Sequence, residues 1–245
     1  MEKVIKTNNR HIFTKVPAPG TKKLFEKIKK FESRSMHGQI PIVWDAAIDY
    51  NIYDLKRNKF IDFTSAIFFS NVGHSNSRVS ESIQQMQDKP IMGCYAYPNE
   101  MRSRYLKKLV DFCGPGFDKA FLMSAGTEAT EAAFKLMRMY GQSKTKERLG
   151  IISLENNWHG RTMGAQMLSG NVNQKEWIGY EDNDVHHISF PYPWALNGES
   201  GESFFLKSID DLIEQHSLWD AMPGKGFSIK SMLKILSAER FISNR

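Results

Sequence analysis

At 245 residues, 41% of them hydrophobic and 24% charged, the chain has the composition of a globular protein that can bury a sizeable core as one large domain or two modest ones. Its longest apolar runs, such as Ala66 to Phe69 and Phe121 to Met123, fall far short of the roughly 20 residues that cross a bilayer, and Met1 to Arg10 carries no secretory pattern, so the expected setting is the cytoplasm, away from membranes. The formal charge of +6 does not make it a nucleic-acid binder, because the densest patch, Lys22, Lys23, Lys27, Lys29 and Lys30, interleaves with Leu24, Phe25, Ile28 and Phe31 at helical spacing and reads as the solvated face of an amphipathic helix.

In chain order, residues 1–20 are polar, end in Pro17, Pro19 and Gly20, and read as an extended arm before a helix from Thr21 to Phe31. Three short apolar segments follow, Ile40 to Ala47, Asn51 to Leu55 and Lys59 to Phe63. Turn-like stretches at Asp49 and Arg57-Asn58 separate them, which predicts a small antiparallel meander. From Ser75 the period becomes helical, with Val79, Ile83 and Met86 on one face, then Met101, Tyr105, Leu109 and Phe112 after Pro98. Cys94 and Cys113 have neither metal-ligand spacing nor a disulfide framework, and no metal is expected; both read as buried thiols.

Alternating strand and helix units come next, the pattern of a parallel sheet with crossover helices and hence of an α/β fold. The predicted elements are a strand at Lys119 to Met123 and a helix at Thr127 to Tyr140 with Ala129, Ala132, Ala133, Leu136 and Met137 on one side. Strands at Gly150 to Leu154 and Val185 to Phe190 follow, then a surface loop at Asn197 to Ser203 and a helix at Phe205 to Gln215.

Two loops carry the chemistry. Ser124-Ala125-Gly126-Thr127-Glu128 leads from a strand into a helix, where unpaired N–H groups and a partial positive charge can hold an anion and a glycine lets the backbone approach it. Glycine at such a turn can equally serve the turn alone. The next strand ends in Asn156-Asn157-Trp158-His159-Gly160-Arg161-Thr162. In an open parallel sheet ligands sit beyond the carboxyl ends of the strands, so the two loops should face one site. There an aromatic ring could lie flat on a planar ligand and an arginine could pair with a carboxylate.

Ser124 to Leu136 (SAGTEATEAAFKL) followed by Trp158 to Thr162 (WHGRT) resembles the paired signature of class III aminotransferases. Supporting matches are Tyr53-Asp54, Ile61-Asp62-Phe63, Asn71-Val72-Gly73-His74, Tyr95 to Glu100 and Phe190 to Trp194, so the resemblance covers roughly residues 20–195. It implies a fold type I enzyme that binds pyridoxal 5'-phosphate, forms a homodimer, and moves an amino group between a small-molecule amino donor and an oxo acceptor. Residues 21–75 would belong to a small α+β domain and residues 76–245 to a large cofactor-binding domain whose sheet is incomplete. Ala125, Gly126 and Thr127 would grip the cofactor phosphate, Trp158 would stack on its ring, His159 and Gly160 would shape the loop, and Arg161 would contact substrate.

Departures from the pattern are Ser124, where asparagine is common, and Trp158, where tyrosine or phenylalanine is more usual. The family also carries an Asp-Glu-Val motif and, beyond it, the lysine that holds the cofactor covalently. No Asp-Glu dipeptide occurs here, and Lys225, in Pro-Gly-Lys-Gly-Phe, lies too close to Trp158 and follows no acidic motif. No catalytic residue is therefore assigned. The expectation is a truncated or frameshifted chain that is inactive alone; half of a split enzyme, a scaffold that kept the fold, and a basic nucleic-acid binder are the alternatives.

Overall fold

The computed structural model describes residues 4–215, apart from 37, 39, 89–90, 92 and 145–148; Lys225 and the tail from 228 to 245 lie outside the described residues. The chain divides into two compact units, Met1–Ser103 and Arg104–Arg245. Among the described residues no helix is long and apolar enough to cross a membrane.

The first unit is built on a five-stranded antiparallel sheet formed by β1 (Ile5–Lys6), β2 (His11–Ile12), β3 (Trp44–Ile48), β4 (Asn51–Asp54) and β5 (Lys59–Ile61), in the order β1-β2-β5-β4-β3. β3, β4 and β5 are the meander expected from sequence, and its turns carry Asp49 at φ 52° and Arg57 at φ 63°. Residues 1–20 do more than extend: β1 and β2 add two strands to the meander's edge. Two-residue strands show no alternation, so nothing in their composition announced them.

Asn58 is the anchor that makes this addition possible. Its side chain is fully buried, and its Oδ1 accepts from the backbone N–H groups of Phe13 at 3.0 Å and Thr14 at 3.2 Å. Its Nδ2 donates to Asp54 Oδ2 at 2.8 Å and to Thr14 Oγ1 at 2.6 Å, while Asp54 Oδ1 accepts the backbone N–H groups of Lys56 and Asn58. Burial of an amide is tolerated because every polar atom is partnered.

Helix α1 (Thr21–Lys29) starts after Gly20, whose φ of 98° favours glycine, and keeps its lysines exposed. α2 (Ser65–Phe68) is a single turn in which all four residues sit at positive φ, from 48° to 67°. Asp62 holds it, accepting from Thr64 N (2.8 Å), Thr64 Oγ1 (2.8 Å) and Ala66 N (3.0 Å), and pairing with His74 Nε2 at 2.8 Å. α3 (Ser77–Gln87) is capped by Asn76, which accepts from Arg78 N and Val79 N, and α4 (Glu100–Cys113) follows.

The second unit contains α5 (Gly126–Lys144), β6 (Ile151–Leu154), α6 (Met163–Leu168), β7 (Val185–Ile188) and α7 (Gly201–Gln215). β6 and β7 pair in parallel, from Ile151 opposite Val185 to Leu154 opposite Ile188. Phe205, Ile209 and Leu212, spaced i, i+4, i+7 on α7, pack on Ile188 with Ile152 and Leu154 beside them. The expected loop at 197–203 is correspondingly shorter, because α7 already begins at Gly201.

Three expectations are corrected. Residues 119–123 form no strand, since no described strand pairs with them and an extended segment has no ladder of its own. The alanine-rich side of α5 is not its packing side, for Leu136 and Met137 are exposed. Cys94 is half-buried and Cys113 exposed, so the thiols are not core residues; Cys113 falls on the exposed last turn of α4.

Replacing Asn58 with alanine should cost about 2–3 kcal/mol, because buried partners lose their bonds together. Urea titration should show the loss, and amide exchange at Phe13 and Thr14 should accelerate; unchanged exchange at those two amides would show that Asn58 does not anchor the arm.

Candidate functional site

The first turn of α5 offers the N–H groups of Gly126, Thr127 and Glu128, which have no acceptor within the helix and sit at its positive end. Ala125 flanks the turn and accepts Ala129 N at 3.0 Å through its carbonyl. The acid of this turn, Glu128, reaches back and accepts the backbone N–H of Ser124, one residue ahead of the N-cap position, at 2.9 Å. Such an end can hold a phosphate.

The loop at 155–162 leaves the carboxyl end of β6 and meets α5 along one stripe of that helix. Gly160, buried and at φ 136°, comes so close to Thr127 that a Cβ there would lie 2.8 Å from Thr127 Cγ2; both the angle and the space require glycine. One turn on, the Glu131 carboxylate accepts from the Thr162 hydroxyl and from Ala165 N. A Cβ on Gly164 would meet Phe134 Cδ1 at 3.0 Å. Arg138 then donates to Asp182 at 2.8 Å and forms an ion pair with Asp184 at 3.6 Å, with its guanidinium 5.1 Å from the centre of the Phe134 ring. Thr127, Glu131, Phe134 and Arg138 recur at i, i+4, i+7, i+11, the spacing of one helical face.

Under the loop, His159 is turned inward. Its Nε2 lies 2.8 Å from Asn157 Nδ2 and 3.4 Å from Ser153 Oγ, and its backbone N–H donates to Ser169 Oγ at 3.0 Å. With the Asn157 amide nitrogen turned toward it, Nε2 is the accepting atom, an arrangement that suits a neutral ring. Burial lowers the His159 pKa below its ordinary value, in the same sense. His187 on β7 lies 3.2 Å from the Leu168 carbonyl, and its pKa is also lowered, first by burial and then by the charge of Lys175. Trp158 and Arg161 point outward. Trp158 is 57% exposed, Arg161 is exposed, and the guanidinium lies 5.4 Å from the centre of the Trp158 ring.

Thus Gly126 and Thr127 share a helix end, Gly160 joins the loop to that end, and Trp158 pairs with Arg161. The side chain of His159 joins the polar cluster beneath the loop. Sequence reasoning missed Glu131, Phe134, Arg138, Ser153, Asn157 and Ser169. The i, i+4, i+7, i+11 spacing on α5 was present in the sequence, but its mixture of polar and aromatic residues hid it from a search for apolar periodicity.

Comparison with known proteins places the fold among transaminases. It superimposes on a thermostable (S)-enantioselective omega-transaminase from Thermomicrobium roseum with a TM-score of 0.70 at 19% identity, over 80% of this chain and 46% of that one. A taurine:2-oxoglutarate aminotransferase from Bifidobacterium kashiwanohense, solved in complex with PLP and glutamate, gives a TM-score of 0.68 at 24% identity, over 80% and 44%. At such identities the likeness shows the fold, part of fold type I. Residues 33–219 match the family Aminotransferase class-III, and the chain belongs to it. It is 34% identical over 142 residues to the mitochondrial acetylornithine aminotransferase of Candida glabrata, which is 56% of this chain and 33% of that protein. The chain thus spans about a third of that relative's length.

Two outcomes follow from this packing. At Gly170 a Cβ would lie 2.6 Å from the backbone carbonyl carbon of Glu155, so Gly170→Ala should cost about 1–3 kcal/mol or more by overpacking, measured as a fall in Tm. An unchanged Tm would mean that the loop backbone yields freely. The second concerns pH. A histidine whose folded pKa is depressed contributes stability that is complete above the unfolded pKa, about 6.5, and is lost as pH falls through the folded one. Tm should therefore decline below about pH 6.5, and His159→Asn should flatten that decline while His187 sustains the remainder; an identical slope in the variant would remove His159 from the titration.

Proposed function

We propose that this chain forms the phosphate- and ring-binding part of a pyridoxal 5'-phosphate site in an aminotransferase acting between an amine or amino acid and a 2-oxo acid or aldehyde. The observation that carries the reading is the contact of Gly160 with Thr127, which joins an anion-binding helix end to the loop bearing Trp158 and Arg161. Family membership and the PLP-bound relative of the same fold support it.

The residues fit the cofactor's chemistry. A phosphate dianion suits the N–H groups of Gly126 and Thr127, and the one acid of that turn is already engaged by Ser124 N. Trp158 supplies an aromatic face for a planar ring, and Arg161 a fork for a substrate carboxylate. His159 acts beneath the loop, keeping it in shape through Asn157, Ser153 and Ser169. When bound, pyridoxal phosphate supplies an electron sink and a carrier for the amino group. No residue of this chain is assigned to its covalent attachment. The proposal places residues 21–75 in a smaller domain and residues from 76 onward in the cofactor-binding domain, in a cytoplasmic homodimer that engages neither nucleic acid nor membrane; these features rest on composition and family resemblance.

Titration with pyridoxal phosphate, followed by tryptophan quenching and by dichroism induced in the cofactor band, should show saturable, reversible binding displaced by inorganic phosphate. Trp158→Ala should weaken it about tenfold, the worth of one lost aromatic stack. After borohydride reduction no single lysine should carry the label. Absence of saturable binding, or binding indifferent to both phosphate and Trp158→Ala, would sink the reading.

A further inference from the structure

We propose that Glu131 is the positioning residue of this site: its carboxylate sets where the loop carries Trp158 and Arg161 relative to the phosphate-binding turn. The role rests on the reading of that turn as a cofactor site. Thr162 occupies the N-cap position of α6, where a threonine hydroxyl ordinarily accepts a backbone N–H, yet its side chain makes no cap bond. The hydroxyl donates instead to Glu131 Oε1, and the same oxygen accepts Ala165 N at 3.0 Å. Glu131 thus caps α6 from another helix. A carboxylate is well suited to this, because it accepts two bonds at once and favours the positive end of α6. Gly164 lets the carboxylate approach, since a Cβ there would lie 3.0 Å from Glu131 Cδ.

The consequence for the site lies in spacing. Thr127 and Glu131 stand one helical turn apart on α5, and they hold the loop at Gly160 and at Thr162, on either side of Arg161. Gly126 and Thr127 belong to α5 itself, so loss of Glu131 leaves the anion-binding turn intact and frees the loop. Affinity for a phosphate alone and affinity for a phosphate with a ring should then part company.

The test compares inorganic phosphate and pyridoxal phosphate as probes of the full chain. Glu131→Ala should weaken pyridoxal phosphate about tenfold or more while changing phosphate affinity less than about twofold. Glu131→Gln keeps an oxygen for Thr162 and Ala165 and should restore pyridoxal phosphate binding to within about threefold of wild type. Thr162→Val, which keeps the Ala165 bond, should show the same split to a smaller degree and decides the matter if Glu131→Ala does not fold. Normal cofactor affinity in Glu131→Ala, an equal loss of both probes, or a Gln variant as impaired as Ala would overturn the positioning role while leaving the site assignment standing. A wild-type chain that binds no pyridoxal phosphate would overturn the site assignment, and this role with it.

Discussion

One stripe of α5 holds the second unit's candidate site together. Thr127 meets the backbone of Gly160, Glu131 takes the Thr162 hydroxyl and Ala165 N, Phe134 faces Gly164, and Arg138 reaches the two aspartates just ahead of β7. Each contact ties the helix to a different point along residues 160–184, so the position of the loop relative to the helix end is over-determined. Much of the stripe is polar. Apolar contacts would bury as much area, but hydrogen bonds and an ion pair have direction, and a loop that must present a ring and a guanidinium at set positions gains from direction more than from area.

The loop's other side is fixed by a second polar cluster. Ser153 bridges to the Leu168 carbonyl at 2.6 Å, Asn157 bonds Ser153 at 2.9 Å, and Ser169 accepts the backbone of His159 while donating to Ala165. Among the described residues of the unit, α6 is the most deeply buried helix, with Gly164 through Leu168 all buried. Gln166 within it is bonded to the Gln174 carbonyl at 2.6 Å and to Trp177 Nε1 at 2.8 Å, so its amide is buried without being stranded.

The first unit follows the same logic on an antiparallel sheet. Asn58 joins the arm to the β4–β5 turn, and Asp62 holds a turn of left-handed residues that strain alone would open. Burial by itself would raise the Asp62 pKa, but the hydrogen bonds from His74, Thr64 and Ala66 outweigh it and hold the carboxyl well below the usual carboxylate range. That turn exposes Ile67, Phe68 and Phe69. A buried carboxylate therefore fixes an exposed apolar loop, the reverse of the usual arrangement.

The sequence by itself determined the elements whose signals are local. Asp49 and Arg57-Asn58 marked the meander's turns, and α1, α3 and α4 followed their periods. The two loops were legible because a glycine at the start of a helix, and a tryptophan and an arginine flanking His159-Gly160 just after a strand, are residue types that suit an anion, a planar ring and a carboxylate. What only the tertiary structure decided was long-range pairing. The segment at 119–123 has a strand's composition but no partner among the described strands, and composition cannot supply one. β1 and β2 have no pattern but find an edge, and Asn58 holds the two residues that follow them, Phe13 and Thr14, from 45 and 44 positions away. The packing face of α5 was likewise decided in three dimensions: its alanines and leucine mark the stripe a periodicity search selects, whereas Thr127, Glu131 and Arg138 mark the stripe that touches the loop. Hydrophobicity reports which residues leave water, but a directional bond depends on where its partner stands, and that partner is set by the fold.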